Sequence, residues 1–224
     1  MRFMMVIGWV ATLTAAAGCA RSESPSIVDT ARADTDRNAA GSGVPAGFIG
    51  RTDNSRMSLS GARYTASGDM WEVVTGPAHI VYRPQDIASG HYTASATIEQ
   101  LEKPAHPEAF GIFIGGSDLE GPAQRYTYFL VRATGELAVK VRDGDSTRDV
   151  IKWTPARNVP KQDASGRASY ALGAKVSGDA IKFIVNGKEA ASLSKVGLPA
   201  DGVAGVRINH NLHLRISPVS IKRP

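Results

Sequence analysis

The sequence has one cysteine, no block of like charges, and no apolar stretch long enough to cross a bilayer comfortably as a helix. Each absence excludes something. A single thiol, Cys19, cannot close an internal disulfide, so no disulfide framework supports the fold. Lys and Arg total 26 against 21 Asp and Glu, a formal charge of +5. The two signs are interspersed and no basic run occurs, which argues against a nucleic-acid surface. No segment of useful length repeats apolar residues at helical spacing, which argues against a helical fold class. A Gly-x-Ser-x-Gly elbow, a Walker loop and a dinucleotide fingerprint are all missing from the sequence, and with them the chemistries those loops build.

What is present begins at the N-terminus. Arg2 precedes an apolar stretch from Phe3 to Ala17 that ends in small residues, the layout of a secretory signal. Ala16, Ala17 and Gly18 directly before Cys19 resemble the lipobox of bacterial lipoproteins, with Ala16 standing where that family prefers Leu. The resemblance implies cleavage before Cys19, diacylglycerol on its thiol and acylation of the new amino group. Two or three acyl chains hold far more firmly than one, since each buried methylene adds roughly 0.8 kcal/mol. Ala20, rather than Asp, follows the cysteine. By the same resemblance this sorts the protein to the outer membrane of a bacterial envelope, facing the periplasm or the exterior.

From Arg21 to about Pro45 large apolar residues are nearly absent, a composition that cannot offset its own conformational entropy. The expected organisation is a signal at 1–18, a flexible tether at 19–45 carrying the lipidated Cys19, and one domain at 46–224. Loss of Arg2 with the signal lowers the formal charge from +5 to +4.

The domain reads almost wholly as strands, short β-branched and aromatic runs punctuated by Gly, Pro, Asn and Asp. The pattern predicts strands over Trp71–Val74, His79–Tyr82, Tyr92–Leu101, Ala109–Gly115, Arg125–Arg132 and Glu136–Asp143. It predicts further strands over Arg148–Trp153, Ser169–Val176, Ala180–Asn186, Lys188–Ser192, Gly202–Asn209 and His213–Lys222. Asn186-Gly187 is the favoured two-residue hairpin link, and Asp143-Gly144 and Ser177-Gly178-Asp179 serve similarly. Many short strands in series indicate an all-β, two-sheet antiparallel jelly-roll sandwich.

Six segments carry a closer resemblance: 92–98, 110–116, 126–132, 135–142, 181–187 and 202–211. Their order and content, from Tyr-Thr-Ala-Ser-Ala-Thr-Ile to Gly-Val-Ala-Gly-Val-Arg-Ile-Asn-His-Asn, are similar to the concanavalin A-like lectin/glucanase superfamily. Within it, they look like bacterial domains of the laminin-G and 3-keto-disaccharide-hydrolase type. That superfamily contains binders, hydrolases and lyases, so the resemblance implies a fold and leaves the activity open.

Retaining glycoside hydrolysis needs two carboxylates about 5–5.5 Å apart. The strand signature that supplies them, Glu-x-Asp-x-Glu, is absent. Glu99 and Glu102 have an odd separation that places them on opposite faces of a regular strand. Asp143, Asp145 and Asp149 alternate as calcium ligands do, but lack the turn glycine and closing Glu of such a loop, so a solvated hairpin is the better reading. His210 and His213 have no Cys or close acid beside them in sequence, and Asn209, His210 and Asn211 read as a polar strand end. No catalytic residue, metal or cofactor is assigned.

Strand alternation is more informative. Leu137, Val139 and Val141 share one face of their strand, leaving Lys140 and Arg142 on the other. Phe129 and Val131 fit a core, leaving Tyr126, Tyr128 and Arg132 outward. If the two strands are neighbours, these residues line one outer surface, with Glu99 and Arg207 as further candidates. In the resembled fold that concave surface is the usual glycan groove, where rings stack on sugars and Arg or Lys donate to hydroxyls. Trp71 and Trp153 read as core or sheet-edge packing. The expected function is therefore non-catalytic recognition of a carbohydrate or other envelope ligand, with attachment to a membrane through Cys19. A hydrolase resembling the 3-keto-disaccharide hydrolases and a structural envelope-interaction module are the alternatives.

Overall fold

The computed structural model describes residues 35–224 except Ser42 and Ser55, and Thr35–Pro224 form one compact unit. The signal expected at 1–18, the lipidation candidate Cys19 and the tether as far as Asp34 lie outside the described residues. In chain order the strands are β1 (Ile49–Thr52), β2 (Arg63–Ser67), β3 (Met70–Val74), β4 (His79–Ala88) and β5 (Tyr92–Gln100). Next come β6 (Ala109–Ser117), β7 (Arg125–Arg132), β8 (Glu136–Asp143), β9 (Ser146–Pro155) and β10 (Ala168–Ser177). The last are β11 (Ala180–Val185), β12 (Lys188–Ser194), β13 (Gly202–Ile208), β14 (His213–Ile216) and β15 (Ser220–Lys222).

They form two antiparallel sheets. A seven-stranded sheet runs β1-β4-β13-β6-β7-β8-β9, and an eight-stranded sheet runs β12-β11-β10-β5-β14-β3-β2, with β15 also paired to β5. The architecture is the jelly-roll sandwich that the strand pattern predicted. Period-two alternation explains the inner faces. On β5, Tyr92, Ala94, Ala96 and Ile98 turn inward and are buried, while Thr93, Ser95, Thr97 and Glu99 alternate outward. The two alanines leave room for rings from the facing sheet. Phe129 stacks on Phe183 with centroids 4.9 Å apart, and Phe110 meets Tyr170 edge-on at 5.4 Å. Each such buried ring contributes roughly 1.5–3 kcal/mol.

The predicted strands match the observed ones closely, with three differences besides the six residues by which β4 outruns its predicted end at Tyr82. His213–Lys222 is two strands, β14 and β15, both on β5. Pro218 has no N–H for the ladder, and Ser217 closes the gap by accepting from the Thr97 N–H at 2.9 Å. The strand predicted to reach Asn186 stops at Val185, because Asn186 (φ 50°) and Gly187 (φ 78°) are the hairpin turn itself. The third difference is that β1 and β2 carry too few large apolar residues to be recognised from sequence.

The chain is already against the domain before Ala46. The Ala39 N–H donates to Gly61 O and the Gly41 N–H to Ser60 O, both at 3.0 Å. The Arg37 N–H donates to Asn211 Oδ1 at 2.8 Å. Residues 35–41 thus form a strap across Gly61, Gly76 and the β13–β14 connection.

Candidate functional site

An antiparallel sheet with one wet face alternates buried and exposed residues. β6 and β7 do not. From Ala109 to Gly116 every residue is buried, and so is everything from Tyr126 to Val131. A second apolar cluster, separate from the core, accounts for this: Ile80, Tyr82, Ala109, Phe113, Leu119, Tyr126, Tyr128 and Leu130. It lies on the outer face of the seven-stranded sheet.

Register places its members. Lys140, Tyr128, Phe113, Gly205, Tyr82 and Ile49 form one cross-strand row. Ala138, Leu130, Gly111, Arg207, Ile80 and Arg51 form the next. Gly205 is the hinge of the first row, since a Cβ there would lie 2.4 Å from the Phe113 ring. Without that side chain, the Phe113 and Tyr82 rings meet edge-on over β13 at 6.1 Å. The loop after β6 then folds across the cluster and seats Leu119 on it. Arg51 pins the loop, donating from one guanidinium nitrogen to Leu119 O at 2.9 Å and Gly121 O at 2.5 Å.

A cleft of about 640 Å³ remains beside this lid, lined by Gly50, Arg51, Thr52, Asp53, Asn54, Glu120, Arg142 and Asp145. Arg51 and Arg142 belong to strands five places apart in the sheet order, so the outer face curls toward itself to bring them together. Arg207 holds the floor. It is 6% exposed and grips Asp53 bidentately at 2.7 and 2.5 Å. Burial opposes its charge, but the Asp53 carboxylate together with Tyr126 and Tyr128 outweighs it, so the guanidinium stays protonated above its usual range. Its Cζ lies 6.0 Å from the Tyr128 ring centre. Burial, with smaller contributions from the surrounding charges, pushes the Tyr126 hydroxyl up to about 12. Tyr126 is therefore neutral in the physiological range.

A chain of polar contacts leads away from the floor. Arg207 reaches Asn209 Oδ1 at 3.3 Å, and Asn209 donates to Glu108 at 3.2 Å. His210 stands between Glu108 and Asp36, 3.0 Å from each, and so ties the network to the strap.

The sequence-predicted residues fall as follows. Tyr126 pairs with Arg142 and Tyr128 with Lys140, so these four and Arg132 do share one outer face. Arg207 joins them there. Glu99 does not: it lies on β5 of the other sheet, where it pairs with Arg215 at 3.0 Å. The tyrosines also differ from the expected stacking platforms, because the Leu119 lid and their neighbours leave Tyr126 only 2% and Tyr128 only 6% exposed. Arg132 lies 3.9 Å over the Trp153 ring, an edge packing that covers the indole. Trp71 packs on the core beside Phe48. Asp143, Asp145 and Asp149 disperse to separate cations, Arg125 at 3.7 Å, Arg142 at 3.6 Å and Lys140 at 3.1 Å. Among the described residues no group of three or more His, Cys, Asp and Glu is placed to hold a metal ion.

Arg51, Asp53 and Glu120 were not anticipated. Alternation of Arg51 and Asp53 was their one sequence signal, and it was lost with strand β1. Glu120 belongs to a loop, whose course sequence periodicity does not report.

No protein-family model matches the chain, and no curated protein sequence matches it. Solved structures do share the fold. A glycoside hydrolase family 16 endo-glucanase from Bacteroides ovatus superposes with a TM-score of 0.55 at 9% identity, covering 78% of this chain and 94% of its own. The carbohydrate-binding module CBM66 from Bacillus subtilis gives 0.51 at 11% identity, covering 79% and 95%. The alginate lyase A1-II' gives 0.51 at 12% identity, covering 79% and 94%. The fold is thus the concanavalin A-like jelly roll found in carbohydrate-binding modules, glycoside hydrolases and lyases.

Proposed function

We propose that this protein is lipid-anchored in a bacterial envelope through Cys19 and that its sandwich binds a carbohydrate without chemical change. The cleft between Arg51, Asp53, Asn54, Glu120 and Arg142 is the observation that carries this reading. It combines planar donors and acceptors in a concave site, on the outer face of a sheet whose fold is shared with a carbohydrate-binding module and a glucanase. With Tyr126 and Tyr128 covered, recognition rests on hydrogen bonds to sugar hydroxyls rather than on ring stacking.

A polysaccharide pull-down with the full chain tests this. Asn54→Ala and Arg142→Ala alter the cleft, and Lys182→Ala, on β11 of the other sheet, is the control. The two cleft variants are expected to weaken retention about tenfold each, the loss of one charge-assisted hydrogen bond from Arg142 or one or two neutral ones from Asn54. Retention untouched by either change places the ligand elsewhere.

A further inference from the structure

Cations on a binding face admit two kinds of glycan. If they are free, they pair with the carboxylates or sulfates of a polyanion. If they are already paired, they only donate to hydroxyls. On the outer face of the seven-stranded sheet four of five cations meet the second condition, and the fifth is engaged by backbone carbonyls.

Arg207 is held bidentately by Asp53 at 2.7 and 2.5 Å. Arg142 faces Asp145 at 3.6 Å, Lys140 faces Asp149 at 3.1 Å, and Arg132 faces Glu136 at 4.0 Å. The fifth cation, Arg51, is engaged by the carbonyls of Leu119 and Gly121, the residues either side of Glu120. The cleft itself is lined by Arg51 and Arg142 against Asp53, Glu120 and Asp145, with Arg207 beneath Asp53. Three cations thus meet three anions. None of the chain's +5 is concentrated there. With equal numbers of opposite charges lining one cleft, little net field survives beyond about a Debye length, roughly 10 Å at 0.1 M salt. A polyanion would gain no long-range attraction. To pair with Arg207 it would have to displace Asp53 from a guanidinium that is 6% exposed and already held bidentately, and to pair with Arg142 it would have to compete with Asp145.

We propose that the cleft takes a neutral saccharide and excludes polyuronates and sulfated glycans. The proposal rests on the carbohydrate-binding reading above and names its ligand class. Exclusion comes from the acids that share the cleft with its arginines, and two of them can be neutralised without opening the core. Asp145 has a fully exposed side chain, and Glu120 sits on the exposed crest of the lid loop.

The test compares the full chain with an Asp145→Asn/Glu120→Gln variant by affinity electrophoresis at 20 mM and 300 mM NaCl. The probes are an uncharged β-glucan, an uncharged fructan, alginate and polygalacturonate. The expected result is retention of the parent by a neutral probe, changing less than twofold between the two salts, with no retention by either polyuronate. The variant, whose site carries three cations against one anion, should acquire polyuronate retention that falls at least tenfold at the higher salt. Salt-sensitive binding of the parent to a polyuronate overturns the proposal and leaves carbohydrate binding standing. A variant that gains no polyuronate binding overturns the claim that charge pairing sets the choice. Parent protein that binds no probe of either class overturns the carbohydrate-binding reading and this proposal with it.

Discussion

His79 shows how a single residue joins the two sheets. It is fully buried at the start of β4. Its Nδ1 donates to Pro77 O at 2.8 Å, which leaves Nε2 to accept from the Tyr64 hydroxyl, 2.5 Å away on the other sheet. Acceptance at Nε2 requires the neutral ring, whereas the Nδ1–H bond to Pro77 would survive protonation. Burial lowers its pKa to about 4; the Pro77 carbonyl opposes the shift, nearby Arg207 reinforces it and Asp53 opposes it. The sign follows directly. Unfolded His titrates near 6.5, so between that pH and about 4 the unfolded state binds the extra proton. The stabilisation is complete above about 6.5 and is lost as pH falls toward 4, a change of about 3 kcal/mol at most. Urea midpoints measured from pH 7.5 to 4.5 should therefore fall more steeply for the parent than for His79→Gln. Carboxylates elsewhere contribute equally to both, so parallel curves would show that His79 is not the titrating group.

Among the elements, the strap at 35–41 is the part whose position depends on what other residues lack. A Cβ on Gly76 would sit 1.7 Å from Arg37 O, so only glycine lets the strap lie where His210 can meet Asp36 and Arg37 can meet Glu102 at 3.3 Å. Gly76→Ala should lift the strap and speed tryptic cleavage at Arg37 several-fold. The thermal midpoint should fall by only a few degrees, because these ion pairs are partly exposed and each is worth at most about 1 kcal/mol. An unchanged cleavage rate would mean that the strap is held by contacts other than those over Gly76. The strap also marks where sequence reading stops. Its Asp, Arg, Asn and Ala have no periodicity, and what holds them is a set of partners scattered along the chain, from Ser60 and Gly61 through Glu102 to Asn211, 174 positions from Arg37. The regular strands were legible because alternation is local: Arg125–Arg132 and Glu136–Asp143 appear at the predicted bounds. Alternation also assigned Tyr126, Tyr128, Arg132, Lys140 and Arg142 to one face. It did not reveal that the face is covered, since Leu119 reaches it through a loop fixed by Arg51 of a strand on the sheet's far edge. Nor could it separate the sheet carrying Glu99 from the sheet carrying Arg207, because strand order is a long-range property.

For the whole molecule, the cleft and the proposed anchor are separable. Everything that lines the cleft belongs to the unit beginning at Thr35, while Cys19 lies sixteen positions earlier in the chain. Covalent geometry limits that interval to at most about 55 Å. Attachment through acyl chains is apolar, so it should resist 1 M NaCl and release only with detergent, whereas a hold exerted by the chain's modest net positive charge would be screened by salt. Cys19→Ser removes the lipid site without touching any residue of the sandwich. The variant should appear in the soluble fraction while the parent sediments with membranes, and its polysaccharide retention should match that of the detergent-solubilised parent within twofold. A variant that still sediments, or a parent that salt alone releases, would show that Cys19 does not carry the anchor. Loss of retention in the soluble variant would show instead that binding requires the membrane-bound arrangement, and the cleft alone would no longer account for recognition.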